Sequence, residues 1–264
     1  MFQIDLSGKT ALITGSNSGI GLGIARQMAL AGANISGCAR TLKKDLNDEM
    51  RQYKGKYIFT ECDVTKPEDM EKTVKRTVDE FGGVDILISN AGQNIFTGAE
   101  QSTESDWKYN MDLNLTSHWR LSKLCKPYLE KSNGGVIILM TSNHAFASIP
   151  GCFPYNVTKT AITGLVRSLT IEWGPKIRIV GIAPGFIDTE INVKWFNTFP
   201  DPAAERKRTI EMHPSGRIGT SDEIGALCVF LVSPMAGFIN GTTILVDGGR
   251  SALMQDDPVF RYES

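Results

Sequence analysis

Thr10-Ala11-Leu12-Ile13-Thr14-Gly15-Ser16-Asn17-Ser18-Gly19-Ile20-Gly21 runs from a buried strand, through a tight turn, into a helix. Thr10 to Ile13 is apolar and strand-sized, and the glycine and serine residues that follow cannot prolong it. Beyond the turn, Ile20, Ile24 and Met28 recur at four-residue steps with Ala25 and Ala29 beside them. That spacing predicts a helix with a small-residue face, able to lie close on a sheet. Glycines let the backbone approach a ligand closely, and a helix N-terminus offers free N–H groups and partial positive charge to a phosphate. Any strand-to-helix turn can use glycine, so the turn alone decides little.

Outward from this unit the pattern repeats. Further strands are expected at Asn34–Ala39, 56–60, 84–89, 136–140, 177–182 and Thr243–Val246, several of them near-continuous apolar runs suited to a sheet covered on both faces. Helices are expected at Pro67–Phe81 (with Thr65 as N-cap), 106–130, 154–173 and 221–232. Strands alternating with helices predict an α/β fold, a doubly wound parallel sheet of Rossmann type with helices on both faces. One such sheet uses up nearly the whole chain, so residues 1–264 read as a single dinucleotide-binding and catalytic domain, with a loop at about 190–215 and a tail at 251–264.

Bulk properties narrow the class. Hydrophobic residues make up 41% of 264, enough for one substantial core. Lys+Arg is 28 against Asp+Glu 29, a formal charge of -1, which argues against nucleic acid as a partner. Short basic runs at Lys43-Lys44 and Arg206-Lys207-Arg208 are flanked by acids and read as solvated faces. No apolar run is long enough to cross a membrane, and the opening residues lack the basic-then-apolar pattern of a leader. Five scattered cysteines suit free thiols in a reducing compartment, and three histidines show no metal-ligand spacing, so a cytoplasmic protein without a metal is expected.

A second motif, Tyr155-Asn156-Val157-Thr158-Lys159, puts a phenol and an ammonium one helical turn apart. A free phenol has a pKa of about 10, and bringing it to about 7 needs roughly 4 kcal/mol of differential stabilisation. A fixed ammonium is expected to work in that direction. Alone, this spacing is a commonplace surface pair.

Together, the glycine turn, Tyr155 and Lys159 about 140 residues later, and Ser142 between them resemble the short-chain dehydrogenase/reductase family from about Lys9 to Gly249. Asn114, the Ser89-Asn90-Ala91-Gly92 turn (Ser where the family has a first Asn), Asp63-Val64 and Pro184-Gly185-Phe186-Ile187-Asp188-Thr189 extend the likeness. The resemblance implies catalytic roles for Asn114, Ser142, Tyr155 and Lys159, the asparagine holding a proton-relay water. It implies nicotinamide-cofactor contacts from Gly15, Ser16, Asn17, Ser18, Gly19, Ile20 and Gly21, from Asp63, Val64, Asn90, Ala91 and Gly92, and from Tyr155, Lys159, Pro184, Gly185, Ile187 and Thr189. The reaction implied is hydride transfer between the cofactor and a small ketone, aldehyde or secondary alcohol.

At the end of the second strand, Ala39 stands where NAD-preferring members carry an acid, and Arg40 follows. A guanidinium clamps a phosphate, so NADP is expected over NAD, unless Arg40 only stacks on adenine or faces solvent. Neutral Ser18 stands where many NADP-binding relatives add a second basic residue.

Ser142, His144, Phe153, Tyr155, Trp195 and Phe196 are expected at the substrate pocket. Trp195, Phe196 and Phe199 form either an apolar lid on a mobile loop or a subunit contact. A ketone, sugar, steroid or 3-oxoacyl thioester all fit, and Arg206-Lys207-Arg208 is a thin candidate for docking an acyl carrier protein. Ile162, Leu165, Val166 and Leu169 give the Tyr155 helix more apolar surface than one face on a sheet requires; similar proteins pair subunits there, so the resemblance implies a homotetramer or homodimer. The same fold also serves cofactor-binding sensors, which usually lose the Tyr or the Lys; here both are present.

Overall fold

Near-continuous apolar runs become strands because each side chain of a doubly covered sheet meets a core. The computed structural model describes residues 4–253. Its strands are β1 (Thr10–Thr14), β2 (Asn34–Ala39), β3 (Tyr57–Glu61), β4 (Ile86–Ser89), β5 (Gly135–Met140) and β6 (Ile177–Pro184). The short β7 (Ile187–Asp188) and β8 (Gly219–Thr220) follow, then β9 (Thr243–Val246). Seven form one parallel sheet in the order β3-β2-β1-β4-β5-β6-β9, while β7 and β8 pair separately.

Between them run α1 (Gly19–Leu30), α2 (Leu46–Met50), α3 (Pro67–Phe81), α4 (Glu104–Met111) and α5 (Ser117–Leu129). Then come α6 (Tyr155–Trp173), α7 (Glu190–Phe196), α8 (Pro202–Glu211) and α9 (Ser221–Val232). Alternate residues of each strand feed opposite cores. Leu12, Leu87, Ile137 and Leu139 meet Met70 of α3, Leu121 of α5 and Ile162 of α6. Ile13, Ile88, Val136 and Ile138 meet Ile24 and Met28 of α1 and Ile224 and Leu231 of α9. The sheet is therefore doubly wound, as the alternation predicts. Its order reverses between β1 and β4, where open α/β sheets leave a crevice at the carboxyl ends of the strands.

Four local expectations change. Thr65 does not cap α3: its hydroxyl donates to Asp63 Oδ1 (2.7 Å), closing a turn before Lys66, and Pro67 opens the helix. The helix expected at 106–130 is broken by a widened π turn, Asp112–Thr116, between α4 and α5. The mobile loop expected at 190–215 instead folds into α7 and α8. Asp201 caps α8 by accepting from Ala204 N (3.0 Å), with Pro202 in the first turn. Finally, Ile162, Val166 and Leu169 are buried inside this subunit, so they are no spare surface for a partner. The expected tail lies outside the described residues from 254 onward.

Candidate active site

The turn after β1 is pinned from below. Gly15 N and Ser16 N both donate to Cys38 O of β2 (2.7 and 3.2 Å). Thr14 Oγ1 accepts from Asn90 N and Ala91 N (2.9 Å each), and Asn90 Nδ2 donates to Thr14 O (2.8 Å). One threonine thus joins the glycine turn to the turn after β4. Gly21 packs so tightly on that loop that a Cβ would stand 2.1 Å from Gly15 O, which forbids any side chain there. Ser18 leaves the first turn of α1 without a side-chain cap, so its N–H groups remain available to an anion.

A cleft of about 720 Å³ opens above these turns, within the range for ligand sites. Every expected cofactor residue lines it except Ser16. Ser16 is fully buried, and a Cβ on Gly37 would meet its hydroxyl at 2.4 Å, so the side chain points into the fold beneath the turn. Ala39, Arg40 and Thr41 form one wall, and Asn17 Nδ2 holds Thr41 O (2.8 Å). The cradle, the uncapped helix end and the volume fit a dinucleotide.

The carboxyl ends of β5 and β6 complete the other side. Ser142 follows β5, and its Oγ accepts from His144 N (3.2 Å). Tyr155 is the first residue of α6, and both Tyr155 and Ser142 line the cleft while largely buried. Lys159 Nζ donates to Met140 O (3.0 Å) and lies 5.6 Å from the centre of the Tyr155 ring. Asn114 sits in the π turn, a feature frequent at functional sites. Its Oδ1 accepts from Gln93 N (3.0 Å), while Nδ2 donates to Gln93 O (3.1 Å) and Asn110 Oδ1 (2.8 Å). One amide proton thus braces the segment after Gly92 and the other ties Asn114 to Asn110 of α4.

The electrostatics depart from the expectation of a phenol made acidic by its lysine. Burial pushes Tyr155 up to about 12, opposed by the Ser142 hydroxyl, while burial drives Lys159 down to about 7. With the ammonium bonded to a main-chain carbonyl rather than to the phenol, desolvation of each charge outweighs their mutual attraction.

The substrate residues separate. His144 stands edge-on to Tyr155 (6.0 Å between ring centres). Phe153 instead stacks on Trp107 (5.6 Å). Phe196 is buried at the end of α7, 5.4 Å from Phe186 and 5.2 Å from Trp195, so it anchors α7 rather than forming a pocket wall. Trp195 joins Phe199 at 4.8 Å in the same cluster. Neither Phe153, Trp195 nor Phe196 lines the cleft, and neither does His144. Sequence reasoning missed Phe96, whose ring lies 5.4 Å from Tyr155 and 5.9 Å from His144, together with cleft residues Gln93, Asn94, Tyr109, Asn192 and Lys194. Gln93 and Asn94 directly follow the Asn90-Ala91-Gly92 turn, a proximity signal within reach of the sequence.

A family model described as enoyl-(acyl carrier protein) reductase matches residues 15–251. "Dehydrogenase/reductase SDR family member 4" of Homo sapiens is 35% identical, over 92% of this chain and 88% of its own. The chain belongs to the short-chain dehydrogenase/reductase family. A tropinone reductase homolog of Arabidopsis thaliana is also 35% identical, over 93% of this chain and 91% of its own. Among solved structures, the Cj0485 dehydrogenase superposes with a TM-score of 0.93 at 28% identity, covering 99% of this chain and 100% of that one. The Thermoplasma acidophilum aldohexose dehydrogenase gives 0.87 at 27% identity, with the same coverage. Membership makes this short-chain dehydrogenase/reductase an oxidoreductase that uses NAD(P). Among its described residues no helix is long and apolar enough to cross a membrane.

Proposed function

We propose that the protein is an NADP(H)-linked reductase of small ketones or aldehydes, with Tyr155 as proton donor. The observation that carries this reading is the convergence of Ser142, Tyr155 and Lys159 on the same cleft as the uncapped glycine turn. A bound nicotinamide supplies or accepts the hydride. Tyr155 gives its proton to the substrate oxygen, and Ser142 donates a hydrogen bond to that oxygen as charge develops on it. Lys159 near neutrality exchanges protons readily, suiting it to reload the phenol and to hold ribose hydroxyls. Both amide protons of Asn114 are engaged, and a relay water would rest on its main-chain carbonyl, within the widened turn.

Arg40 on the cleft wall and Ala39 in place of an acid support NADP over NAD. Arg206-Lys207-Arg208 offers no docking patch: Arg206 binds Asp188, Arg208 binds Glu205, and Lys207 lies 4.0 Å from Glu211. That weakens the acyl-carrier alternative beside a ketone, a sugar or a steroid, the sugar being in keeping with the aldohexose dehydrogenase likeness. A cytoplasmic homotetramer or homodimer remains part of the proposal. Its support is now exposed Trp119 on α5, Ile171 on α6, and Phe238 and Leu245 by β9. Light scattering on the purified protein tests the assembly. Incubation with NADPH and a panel of ketones, aldehydes and sugars tests the activity: cofactor oxidation is expected, and binding without turnover across the panel would favour a sensor.

A further inference from the structure

Beside the cleft, two residues beyond its lining Thr41 and between its lining Thr189 and Ile191, Lys43 Nζ and Glu190 Oε1 form an ion pair at 2.8 Å, joining the segment after β2 to the first turn of α7. We infer that Lys43 is a cofactor-selecting residue and that Glu190 is its built-in competitor, which only a cofactor bearing a 2′-phosphate displaces. The inference rests on the NADP reading above and assigns a task to a lysine set aside as a solvated face.

Position is the first argument. Lys43 lies three residues beyond Arg40, on the segment that Asn17 tethers to the glycine turn through Thr41 O (2.8 Å). Arg40 makes no ion pair among the described residues, so this end of the cleft presents one guanidinium toward the lining and one ammonium held aside.

Exchangeability is the second. The two side chains are 48% and 63% exposed, so water screens the pair and parting them costs little. Glu190 is not stranded when Lys43 leaves: its carboxyl is held below the usual range by the bond to Lys43, by that charge, and by Lys194 four residues on. Lys194 leaves a favourable charge near Glu190 after Lys43 departs. A dianionic phosphate outbids one carboxylate for an ammonium, whereas a ribose hydroxyl does not. Discrimination between the two cofactors is therefore set partly by the lid, not by the β2 end alone.

Dissociation constants for NADPH and NADH, measured by fluorescence titration on wild type, Glu190→Gln, Lys43→Gln and the double variant, test this, with thermal melts as a check on folding. Glu190→Gln is expected to tighten NADPH about threefold, the scale of an exposed pair, and to leave NADH unchanged. Lys43→Gln is expected to weaken NADPH about tenfold without touching NADH. The double variant should match Lys43→Gln, because the competitor has nothing left to compete for. Equal shifts for both cofactors in Glu190→Gln would make the pair a plain lid clasp and overturn the inference. So would unchanged NADPH binding in Lys43→Gln. A wild type that prefers NADPH while Glu190→Gln is silent removes the exchange alone. A wild type that binds NADH as tightly as NADPH removes the NADP reading itself.

Discussion

At the inner end of the cleft, Lys159 bonds a main-chain carbonyl, Ser142 accepts from a main-chain N–H, and Asn114 bonds Gln93 and Asn110. On segments next to the cleft lining, the contacts are between partly exposed charged side chains: Lys43 with Glu190, and Arg206 with Asp188. Buried partners on rigid strands and helices cannot rearrange without leaving polar groups unpaired, which costs about 1–3 kcal/mol each. Exposed pairs are worth about 0–1 kcal/mol and exchange partners freely. The first kind of support suits groups that must hold one position, the second suits groups that must exchange partners.

The sharpest way to break this comparison is Tyr155→Phe. It should lower kcat by about a thousandfold, within the range for a lost general acid, while cofactor affinity stays within about twofold. Steady-state kinetics beside a cofactor titration would decide it; retained turnover would remove Tyr155 from the chemistry.

Lys159→Met probes the burial of the same pair through pH. Lys159 holds its proton less tightly folded (about 7) than unfolded (10.5), so the penalty is complete below pH 7 and fades as pH rises between these values. Wild-type stability, from denaturant titrations without cofactor, should therefore rise from pH 7 toward 10 relative to Lys159→Met. Parallel curves would mean that the lysine carries no such strain. Tyr155 has the opposite profile: a phenol raised to about 12 contributes stability that is present below pH 10 and lost above it.

At the lid, Phe196→Ala should cost about 3 kcal/mol by emptying the cluster with Phe186 and Trp195. The loss should appear as faster hydrogen exchange confined to residues 190–211, with the central sheet still protected. Uniform loss of protection would show that lid and sheet unfold as one unit. The smallest expected effect is that of Ala39→Asp, which places a carboxylate at the cleft wall beside Arg40. It should weaken NADPH about tenfold, or about 1.4 kcal/mol, and spare NADH. Unchanged relative affinities would refute the assignment of this wall to the 2′-phosphate.

The elements that were legible before folding share one trait: their signal is local. Val136 to Met140 is apolar at every position, and Ile20, Ile24 and Met28 keep a helical step, so strand and helix followed from neighbours alone. Ser142, Tyr155 and Lys159 were singled out by the family resemblance, and they do line one cleft. The failures arose where a strong local cue was outweighed. At 190–215 the aromatics and prolines masked the Asp201-Pro202 helix start, and Phe196 was assigned to a pocket because an aromatic near a loop looks functional. Phe96 went unnoticed because it reaches Tyr155 only through the bridge between Phe96 and Pro154, distant in sequence.

By itself the sequence determined the doubly wound sheet and the glycine turn, since periodicity and spacing are properties of adjacent residues. Only the tertiary structure decided that Tyr155 and Lys159 are both driven toward neutrality, that Ser16 turns inward, and that Lys43 meets Glu190. Desolvation and long-range ion pairing depend on what surrounds a group in space, and no spacing along the chain encodes that.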